Sequence, residues 1–300
     1  MFNLKIIFIV VLCLIGINGC SLVFTPDYGL GSPTFWDGYY CPRWISDNKI
    51  LAVHDISTTS RGETVDESVI EEIAVDTKST RELFKIQGDN LDLEIMPSPK
   101  GSYLAILKSN KIGLYDMSGK KIAMIVPDEG EIKSFDWSPD ETKIVYAVPY
   151  KTEGYGYDKE YIYIYDIFLV DNIFGDQSKT FLVSGESVTW SYGDFIYYTF
   201  HQELYRVRMD GMSPEAFGLQ TYYPQIPKND SPYIYAKSAY SGYYGRVDLN
   251  KKSFESLTDK WKYVYGKPFL SPDCQKLVMD SNQGGIWLFY LATELEEQIK

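Results

Sequence analysis

The amino-acid sequence predicts an all-β protein assembled from a repeated unit of about four short strands. The first observation is a segment that recurs at a spacing of roughly 40 to 50 residues, in which a Ser-Pro-Asp type turn separates two strand-like runs. The second observation is that each turn is followed by a short run rich in β-branched and aromatic residues. The clearest copy spans 137–146, and the other copies begin at Trp44, Pro97, Trp190, Pro227 and Leu270.

The turn chemistry explains the repeat. In 138–140, Pro presets the backbone angle that a type I turn needs, and the Ser and Asp side chains can bond to nearby backbone groups. The run 143–147 then starts a new strand, and a second pair of strands follows, as at 112–116. Each repeat therefore has the size of one propeller blade.

The segments 137–140 and 270–273, together with the turn at 210–214, resemble the repeats of the TolB-like, WD40-like β-propeller family. The resemblance covers most of residues 42–300 and implies a single closed β-propeller. It carries little information about function, because propellers host unrelated activities. Six four-stranded blades are expected, at 42–88, 89–127, 128–183, 184–219, 220–260 and 261–300.

The first 19 residues are expected to be a signal peptide. Lys5 precedes an apolar run at 6–15 that is too short to be a comfortable membrane span. The segment 17–20 resembles the lipobox of bacterial lipoproteins, which implies that Cys20 becomes the new N-terminus and carries diacylglycerol and palmitate-type acyl chains. The alternative is an ordinary cleavable signal followed by a coincidental cysteine. The expected location is the bacterial cell envelope, with the propeller anchored to a membrane and facing the periplasm or the cell surface.

Residues 20–41 are interpreted as a lipidated tether or as an extra strand that closes the ring. The predicted fourth strand of the last blade, 295–299, is poor in strand-forming residues, so 22–24 could pair beside it. No linker long enough to split residues 42–300 into two domains is present.

Two cysteines remain after the signal peptide and the lipidated residue are set aside. Cys41 precedes the first blade and Cys274 lies in the Ser-Pro-Asp turn of the last one, and exported proteins occupy an oxidising space. A disulfide could therefore lock the seam of the ring. Alternatively, the two cysteines lie on opposite faces and do not meet.

The longest insertions are 57–67, 149–160 and 238–244, and they should project from the face opposite the Ser-Pro-Asp turns. Aromatic residues concentrate in the second and third of them and in the crossings that feed the inner strands on the same side. Tyrosine-rich loops are common at recognition surfaces, although strand propensity and blade packing also favour tyrosine. The candidate binding face, for a protein segment or a glycan, contains Tyr150, Tyr155, Tyr157, Tyr222, Tyr223, Tyr240, Tyr243, Tyr244, Trp261 and Tyr263.

No catalytic constellation emerges from the sequence. Only two histidines exist, His54 and His201, and they fall in different predicted blades, whereas a metal site needs three or more convergent ligands. Neither a phosphate-binding loop nor a nucleophile elbow is present, so no catalytic residue, metal or cofactor is predicted. The net charge of −12 gives no reason to bind nucleic acid.

These observations favour a membrane-anchored cell-envelope propeller that acts as a protein-binding or scaffold module. The expected partners are the membrane, through the acylated Cys20, and an envelope protein or peptide segment. Because the propeller family includes lyases, the alternative is a glycan-binding or glycan-active propeller that uses the mouth of its channel.

Overall fold

The fold was analysed in a computed structural model that describes residues 34–60, 63–86, 93–153, 161–191, 193–227, 233–257, 267–280, 285–293 and 295–300. The regular structure of these residues consists of β-strands in antiparallel sheets. The predicted all-β class is therefore confirmed. Within the described ranges there is no helix of the length and apolar character that a membrane span requires.

Four of the sheets have four strands each, in the order of the sequence. The first contains β1 (Thr34–Ser46), β2 (Lys49–Ser60), β3 (Glu63–Ala74) and β4 (Thr80–Ile86). The second contains β5 (Glu94–Pro97), β6 (Tyr103–Lys108), β7 (Lys111–Asp116) and β8 (Lys121–Ile125). The third contains β9 (Ser134–Trp137), β10 (Ile144–Glu153), β11 (Tyr161–Asp171) and β12 (Ser178–Ser184).

A seven-stranded sheet follows. It contains β13 (Val188–Trp190), β14 (Phe195–Phe200), β15 (Glu203–Arg208), β16 (Glu215–Gln225), β17 (Tyr233–Ser238), β18 (Tyr244–Asp248) and β19 (Ser253–Ser256). The last sheet contains β20 (Phe269–Leu270), β21 (Lys276–Asp280), β22 (Ile286–Tyr290) and β23 (Leu295–Gln298).

The Ser-Pro-Asp segments form the turns that the sequence predicts. The Ser138 hydroxyl donates to Asp140 and accepts the backbone N–H of Lys143 at 2.9 Å, while Asp140 accepts the N–H of Thr142 at 3.0 Å. Although burial opposes it, these hydrogen bonds lower the pKa of Asp140. Ser271 and Asp273 repeat the arrangement in the last sheet. The side chains thus satisfy turn backbone groups that would otherwise lack partners.

The sheets pack against one another in a closed ring, and each second strand is consequently buried on both faces. Successive residues of a strand point to opposite sides, so Ile50 packs toward the last sheet and Leu51 toward the second sheet. Pairs of buried residues that share a core between neighbouring sheets are Leu51 with Ile95, Leu114 with Ile144, Val145 with Ile196, Tyr235 with Leu277, and Ile50 with Phe269. The last of these pairs joins the two ends of the ring, and the arrangement is that of a β-propeller.

The expected division of residues 184–260 into two separate blades differs from the strand pairing. β16 pairs with β15 from Glu215 to Gln220 and with β17 from Thr221 to Gln225. The expected boundary at 219–220 therefore falls inside one continuous strand. Because no turn interrupts this strand, the two groups of strands form a single sheet.

Two of the expected insertions are strand extensions rather than loops. β2 and β3 stay in register up to the pair Ser60 and Glu63, so most of the segment 57–67 is paired. β10 continues to Glu153, which places Tyr150 inside a strand opposite Ile164.

The start of the chain also differs from expectation. β1 begins at Thr34 and pairs with β2, so residues 34–41 belong to the first sheet rather than to a tether or a closing strand. In the last sheet, β23 occupies the fourth position that had been expected to be poorly filled. Residues 1–33, which include the expected signal peptide, Cys20 and the segment 22–24, lie outside the described part of the chain.

Candidate functional site at the centre of the ring

The innermost strands of the ring enclose a central cavity of about 140 Å³. Equivalent positions of these strands line it, each opposite the second or third residue of the neighbouring strand, as Asp136 is opposite Val145 and Arg43 opposite Leu51. We call these residues the inner ring. Its members are Arg43, Met96, Asp136, Thr189, Gln225 and Phe269.

The cavity lies toward the end of the channel that carries the Ser-Pro-Asp turns. Three tryptophans at or near the ends of inner strands, Trp44, Trp137 and Trp190, contribute to its wall. Turn prolines border it, namely Pro99, Pro139, Pro227 and Pro272. An apolar concavity with a few fixed polar groups is the usual form of a binding site.

Hydrogen bonds between neighbouring inner strands hold this wall in place. The indole of Trp44 donates to the carbonyl of Phe269 at 2.9 Å, and the indole of Trp137 donates to the carbonyl of Met96 at 3.0 Å. The Asp136 carboxylate accepts the backbone N–H of Trp190 at 2.9 Å. These contacts cross from one sheet to the next, so they fix the spacing of the inner strands as well as each side chain.

The same bonding continues where β16 meets the last sheet. The side-chain carbonyl of Gln225 accepts the N–H of Leu270 at 2.9 Å, and its amide donates to the carbonyl of Pro268. The side chain of Gln225 therefore forms the hydrogen bonds to the last sheet that the backbones of the two neighbouring inner strands do not form. The wall is rigid at this junction too.

A buried charge cluster lies at the base of the cavity. Arg43 is 4 % exposed, and its guanidinium lies 3.4 Å from the centre of the Phe269 ring and pairs with Glu94 at 2.8 Å. Lys267 approaches the same carboxylate at 3.5 Å. Burial alone would raise the pKa of Glu94, but the positive charges of Lys267 and Arg43 outweigh it and hold that pKa below its usual range.

Two strained bulges aim the inner-ring side chains. Cys41 and Tyr223 have φ values of 50° and 51°, in the left-handed region that residues other than glycine rarely adopt, and each precedes a proline. The strand register shifts at both places, between Tyr40 and Arg43 and between Tyr222 and Gln225. Bulges redirect the residues that follow them, here Arg43 and Gln225. Strained backbone of this kind is enriched at functional sites.

The sequence did not single out this charge cluster. The signal that could have found it is the recurrence of an x-Pro-x triplet just before the turn segment, at 41–43, 223–225 and 267–269. Proline is rare inside central strands, so three prolines at equivalent strand positions indicate bulges around a common centre.

Cys41 and Cys274 are not joined to each other. The Cys41 thiol donates to the carbonyl of Leu93 at 3.0 Å, on the side of the second sheet, and burial raises its pKa to about 12. Cys274 lies in the turn of the last sheet and packs against the core that contains Tyr235. The two residues occupy different packing clusters, so the disulfide considered for the seam is not formed, and hydrogen bonds such as that of Trp44 cross the seam instead.

We call Tyr222, Tyr223, Tyr240 and Tyr243 the rim tyrosines. Tyr240 and Tyr243 lie in the turn at the end of the seven-stranded sheet away from the cavity, whereas Tyr223 lies next to the cavity, with Nζ of Lys267 5.6 Å from the centre of its ring. The N–H of Thr221 bonds to Gln202 and that of Ala239 to Gln220, which places the start of the inner part of β16 beside the turns 201–202 and 239–243. The side chain of Tyr240 is 82 % exposed and that of Tyr223 is 40 % exposed. Tyr222 and Tyr243 are half-buried.

Tyr244 does not belong to a binding face. It is 1 % exposed and packs with Tyr235, Leu277 and Phe289, because β18 turns this side chain toward the last sheet. Packing in this core is therefore enough to explain why a tyrosine occupies position 244. Four other members of the predicted face lie outside the described part of the chain: Tyr155, Tyr157, Trp261 and Tyr263.

Neither His54 nor His201 is among the described residues that line the cavity. His54 lies inside β2, stacked on Tyr39 at 4.2 Å, and its ring nitrogens contact Asp37 at 2.6 Å and Glu71 at 3.0 Å. His201 lies in the turn after β14. Within the described ranges, no group of three histidine, cysteine or acidic side chains is arranged to hold a metal.

Burial lowers the pKa of His54, but its hydrogen bonds to Glu71 and Asp37 outweigh burial and raise that pKa above its usual value. The ring links three strands of the first sheet. Its two nitrogens contact two different carboxylates. When the imidazole is protonated, both nitrogens can donate to these carboxylates, and the cluster stabilises the sheet.

Comparisons with known proteins were made with this geometry in hand. No family model matches the sequence, and no curated protein matches it. The structure is similar to the crystal structure of the tricorn protease, with a TM-score of 0.55 and 10 % identity over 93 % of this chain. The chain spans 35 % of the length of that protease.

Two further structures are similar over most of their own length. A protein assigned as TolB from Agrobacterium tumefaciens has a TM-score of 0.55 and 17 % identity, covering 77 % of this chain and 88 % of that one. An oligogalacturonate lyase in complex with manganese has a TM-score of 0.50 and 14 % identity, covering 89 % and 78 %. At these identities the likeness concerns the fold, and it confirms that this chain is a β-propeller that resembles TolB.

Proposed function

We propose that this protein is a binding propeller that captures a segment of another protein in the central cavity at the end of the Ser-Pro-Asp turns. The observation that carries the proposal is the convergence of inner strands from the whole ring on one rigid, partly apolar cavity. Interfaces take most of their affinity from buried aromatic and arginine anchors. Trp44, Trp137 and Arg43 supply such groups here.

The size of the cavity favours a chain segment over a folded surface. A volume of about 140 Å³ accommodates one or two side chains, and the turn prolines around it provide a shallow rim. A pre-formed aromatic cavity bordered by prolines suits an extended peptide because this protein loses little conformational freedom when the peptide binds. The rim tyrosine Tyr240 is proposed as a second contact at the opposite end of the channel, and Tyr223 as a contact beside Lys267.

The proposed ring has six sectors. Six equivalent inner-strand positions supply the inner ring, and β16 would serve as the outermost strand of one sector and the innermost strand of the next. This division reproduces the six blades that the repeat spacing predicts. A strand shared in this way would couple the two sectors more tightly than a turn would.

The proposed location is the cell envelope, with the propeller tethered through an acylated Cys20. The sequence of residues 1–20 supports this proposal, since a short apolar run ends at a cysteine. Thirteen residues, 21–33, lie between Cys20 and Thr34, the first described residue of β1. An extended chain of that length reaches at most about 45 Å, so the propeller would stay close to the membrane surface.

Site-specific photocrosslinking in cells tests the binding proposal. A benzoylphenylalanine is placed in the full chain at Pro139, which borders the cavity, and the control position is Thr180, an exposed residue on the outer strand β12. A third position, Tyr240, tests the rim tyrosines. The proposal predicts protein adducts at position 139, mapped by mass spectrometry to one segment of the partner, and none at position 180.

The same experiment separates the alternatives. Equal capture at positions 139 and 180 would contradict a cavity-directed interaction. Sugar adducts at position 139, without protein adducts, would favour the glycan-binding alternative. Adducts at position 240 alone would show that the partner binds the rim tyrosines rather than the cavity.

A further inference from the structure

We infer that the base of the central cavity is a carboxylate-binding subsite built by Arg43 and Lys267. The inference rests on the proposed binding function and names the chemistry of its ligand. A free carboxylate can come from a peptide, as a chain end or an acidic side chain, or from an acidic sugar. The shared feature is a planar anion presented to the guanidinium of Arg43.

The first argument is the state of the Arg43 guanidinium. One terminal nitrogen donates to the carbonyl of Pro42 at 3.0 Å and the other to Glu94 at 2.8 Å. The Nε–H is buried and has no acceptor among the described residues. An unsatisfied buried donor destabilises a folded protein, and an anion bound at the guanidinium would supply the missing acceptor.

The second argument is geometry. Arg43 lines the cavity, and its guanidinium is stacked on the face of Phe269, which holds it flat and immobile. The strained bulge at Cys41 directs Arg43 to this place. A guanidinium that is already fixed loses little freedom when it binds a carboxylate, and its flat fork suits that planar group.

The third argument is charge. The charged residues that line the cavity are Arg43, Lys267 and Asp136. The carboxylate of Asp136 is held by the backbone N–H groups of Trp137 and Trp190 and by the Thr189 hydroxyl. With Glu94, which both cations contact, the site holds two cations and two carboxylates and has no net charge, in a chain whose overall charge is −12. A site without net charge repels an incoming anion less than the rest of the surface does.

Glu94 provides the sharpest test, because it is the carboxylate that both cations now share. Glu94→Gln keeps the shape and a hydrogen-bond acceptor for Arg43 but removes the internal negative charge. An external carboxylate should then bind more tightly. If the pair with Glu94 were only structural, the same substitution would leave anion binding unchanged.

The probes are matched small molecules added to the full chain in detergent. N-acetylglycine is compared with N-acetylglycinamide, and D-galacturonate with D-galactose, at equal ionic strength. The Kd is followed through the fluorescence of the cavity tryptophans and through the melting temperature. If the subsite takes a peptide carboxylate, N-acetylglycine should bind at least ten-fold more tightly than N-acetylglycinamide. If it takes a sugar carboxylate, D-galacturonate should bind at least ten-fold more tightly than D-galactose.

The variants decide the assignment. Arg43→Gln should weaken the preferred acid at least ten-fold, Lys267→Met about three-fold, and Glu94→Gln should tighten it about three-fold. The control is Arg206→Gln, which breaks an ion pair of the same kind with Glu215, away from the cavity, and should change nothing. Equal binding of acid and amide, or a Glu94→Gln protein that binds no more tightly, overturns the subsite.

The failure of the subsite is distinguishable from the failure of the proposed function. If photocrosslinking from position 139 still captures the same partner segment in the Arg43→Gln protein, the cavity binds a protein without using a carboxylate. If Arg43→Gln does not fold, the Glu94→Gln and Lys267→Met proteins still give opposite expected shifts.

Discussion

Trp44 and Phe269 lie 225 residues apart in the sequence, and the indole N–H of Trp44 donates a 2.9 Å hydrogen bond to the backbone carbonyl of Phe269. Both residues are buried. The contact joins the first sheet to the last, so it belongs to the seam that every closed propeller must stabilise. It also sets the position of Phe269, on which the Arg43 guanidinium lies.

Loss of this hydrogen bond should destabilise the ring. Trp44→Phe keeps an aromatic ring but leaves the carbonyl of Phe269 without its donor, at an expected cost of about 1–3 kcal/mol. Urea unfolding of the full chain measures it. Trp190→Phe is the control, because that indole bonds at 3.3 Å within its own turn, to Gly193. Equal losses for both variants would mean that the seam bond contributes nothing beyond tryptophan packing.

A pair of glycines tests the contact between the first and second sheets. Gly119 has a φ of 87°, and a Cβ there would lie 2.4 Å from Cγ of Phe84, whereas Gly101, with a φ of 72°, has nothing within 4 Å. Gly101→Ala should cost about 1–2 kcal/mol of backbone strain. Gly119→Ala should cost about 1–3 kcal/mol more, because the new methyl group overpacks the interface. Comparable unfolding free energies for the two variants would contradict the packing of Phe84 at Gly119.

His54 should make stability depend on pH. Its pKa is raised in the folded protein, so the folded state binds the proton more tightly and gains stability below the unfolded pKa of 6.5. That gain is lost as the pH rises through the folded pKa. The free energy of unfolding of the wild-type protein should exceed that of His54→Gln by about 1 kcal/mol near pH 6 and by less near pH 8.5. The difference is modest because Asp37 is half exposed. A margin that is constant or grows with pH would contradict the cluster.

The thiol of Cys41 should be slow to react. Its pKa is raised to about 12 by burial, and the thiolate is the reactive form. Alkylation of Cys41 in the native protein should be at least about ten-fold slower than in urea, where its pKa returns to near 8.5. Mass spectrometry of timed samples measures this rate. A tryptic peptide pair linked through Cys41 and Cys274 would show instead that the native protein joins the two cysteines.

The repeat itself was predictable because its chemistry is local. Ser138 and Asp140 bond to backbone groups within five residues, so the turn carries its own signal in the sequence. The alternation of Ile50 and Leu51 between two neighbouring sheets likewise appears as a continuous apolar run. Features of this kind give the class of the fold and the positions of most strands.

What could not be predicted depends on contacts between distant segments. Arg43 became a candidate only when its neighbours Glu94 and Phe269 were known, and nothing near it in the sequence names either of them. Tyr244 looked like part of a recognition loop, because the sequence does not reveal that the last sheet covers it. The continuity of β16 was missed because the boundary was placed by spacing, and spacing alone does not show whether a turn is present.

Closure of the ring underlies the cavity, the inner ring and both proposals, and zero-length crosslinking of the unmodified protein tests it most directly. A carbodiimide joins the amine of Lys78 to the carboxylate of Glu297, which lie 2.6 Å apart across the first and last sheets. Lys252 and Glu215, 3.1 Å apart within the seven-stranded sheet, serve as the internal control. We predict that mass spectrometry finds both linked peptides in the monomer. A protein that yields the control link but not the link between Lys78 and Glu297 would contradict the closed ring.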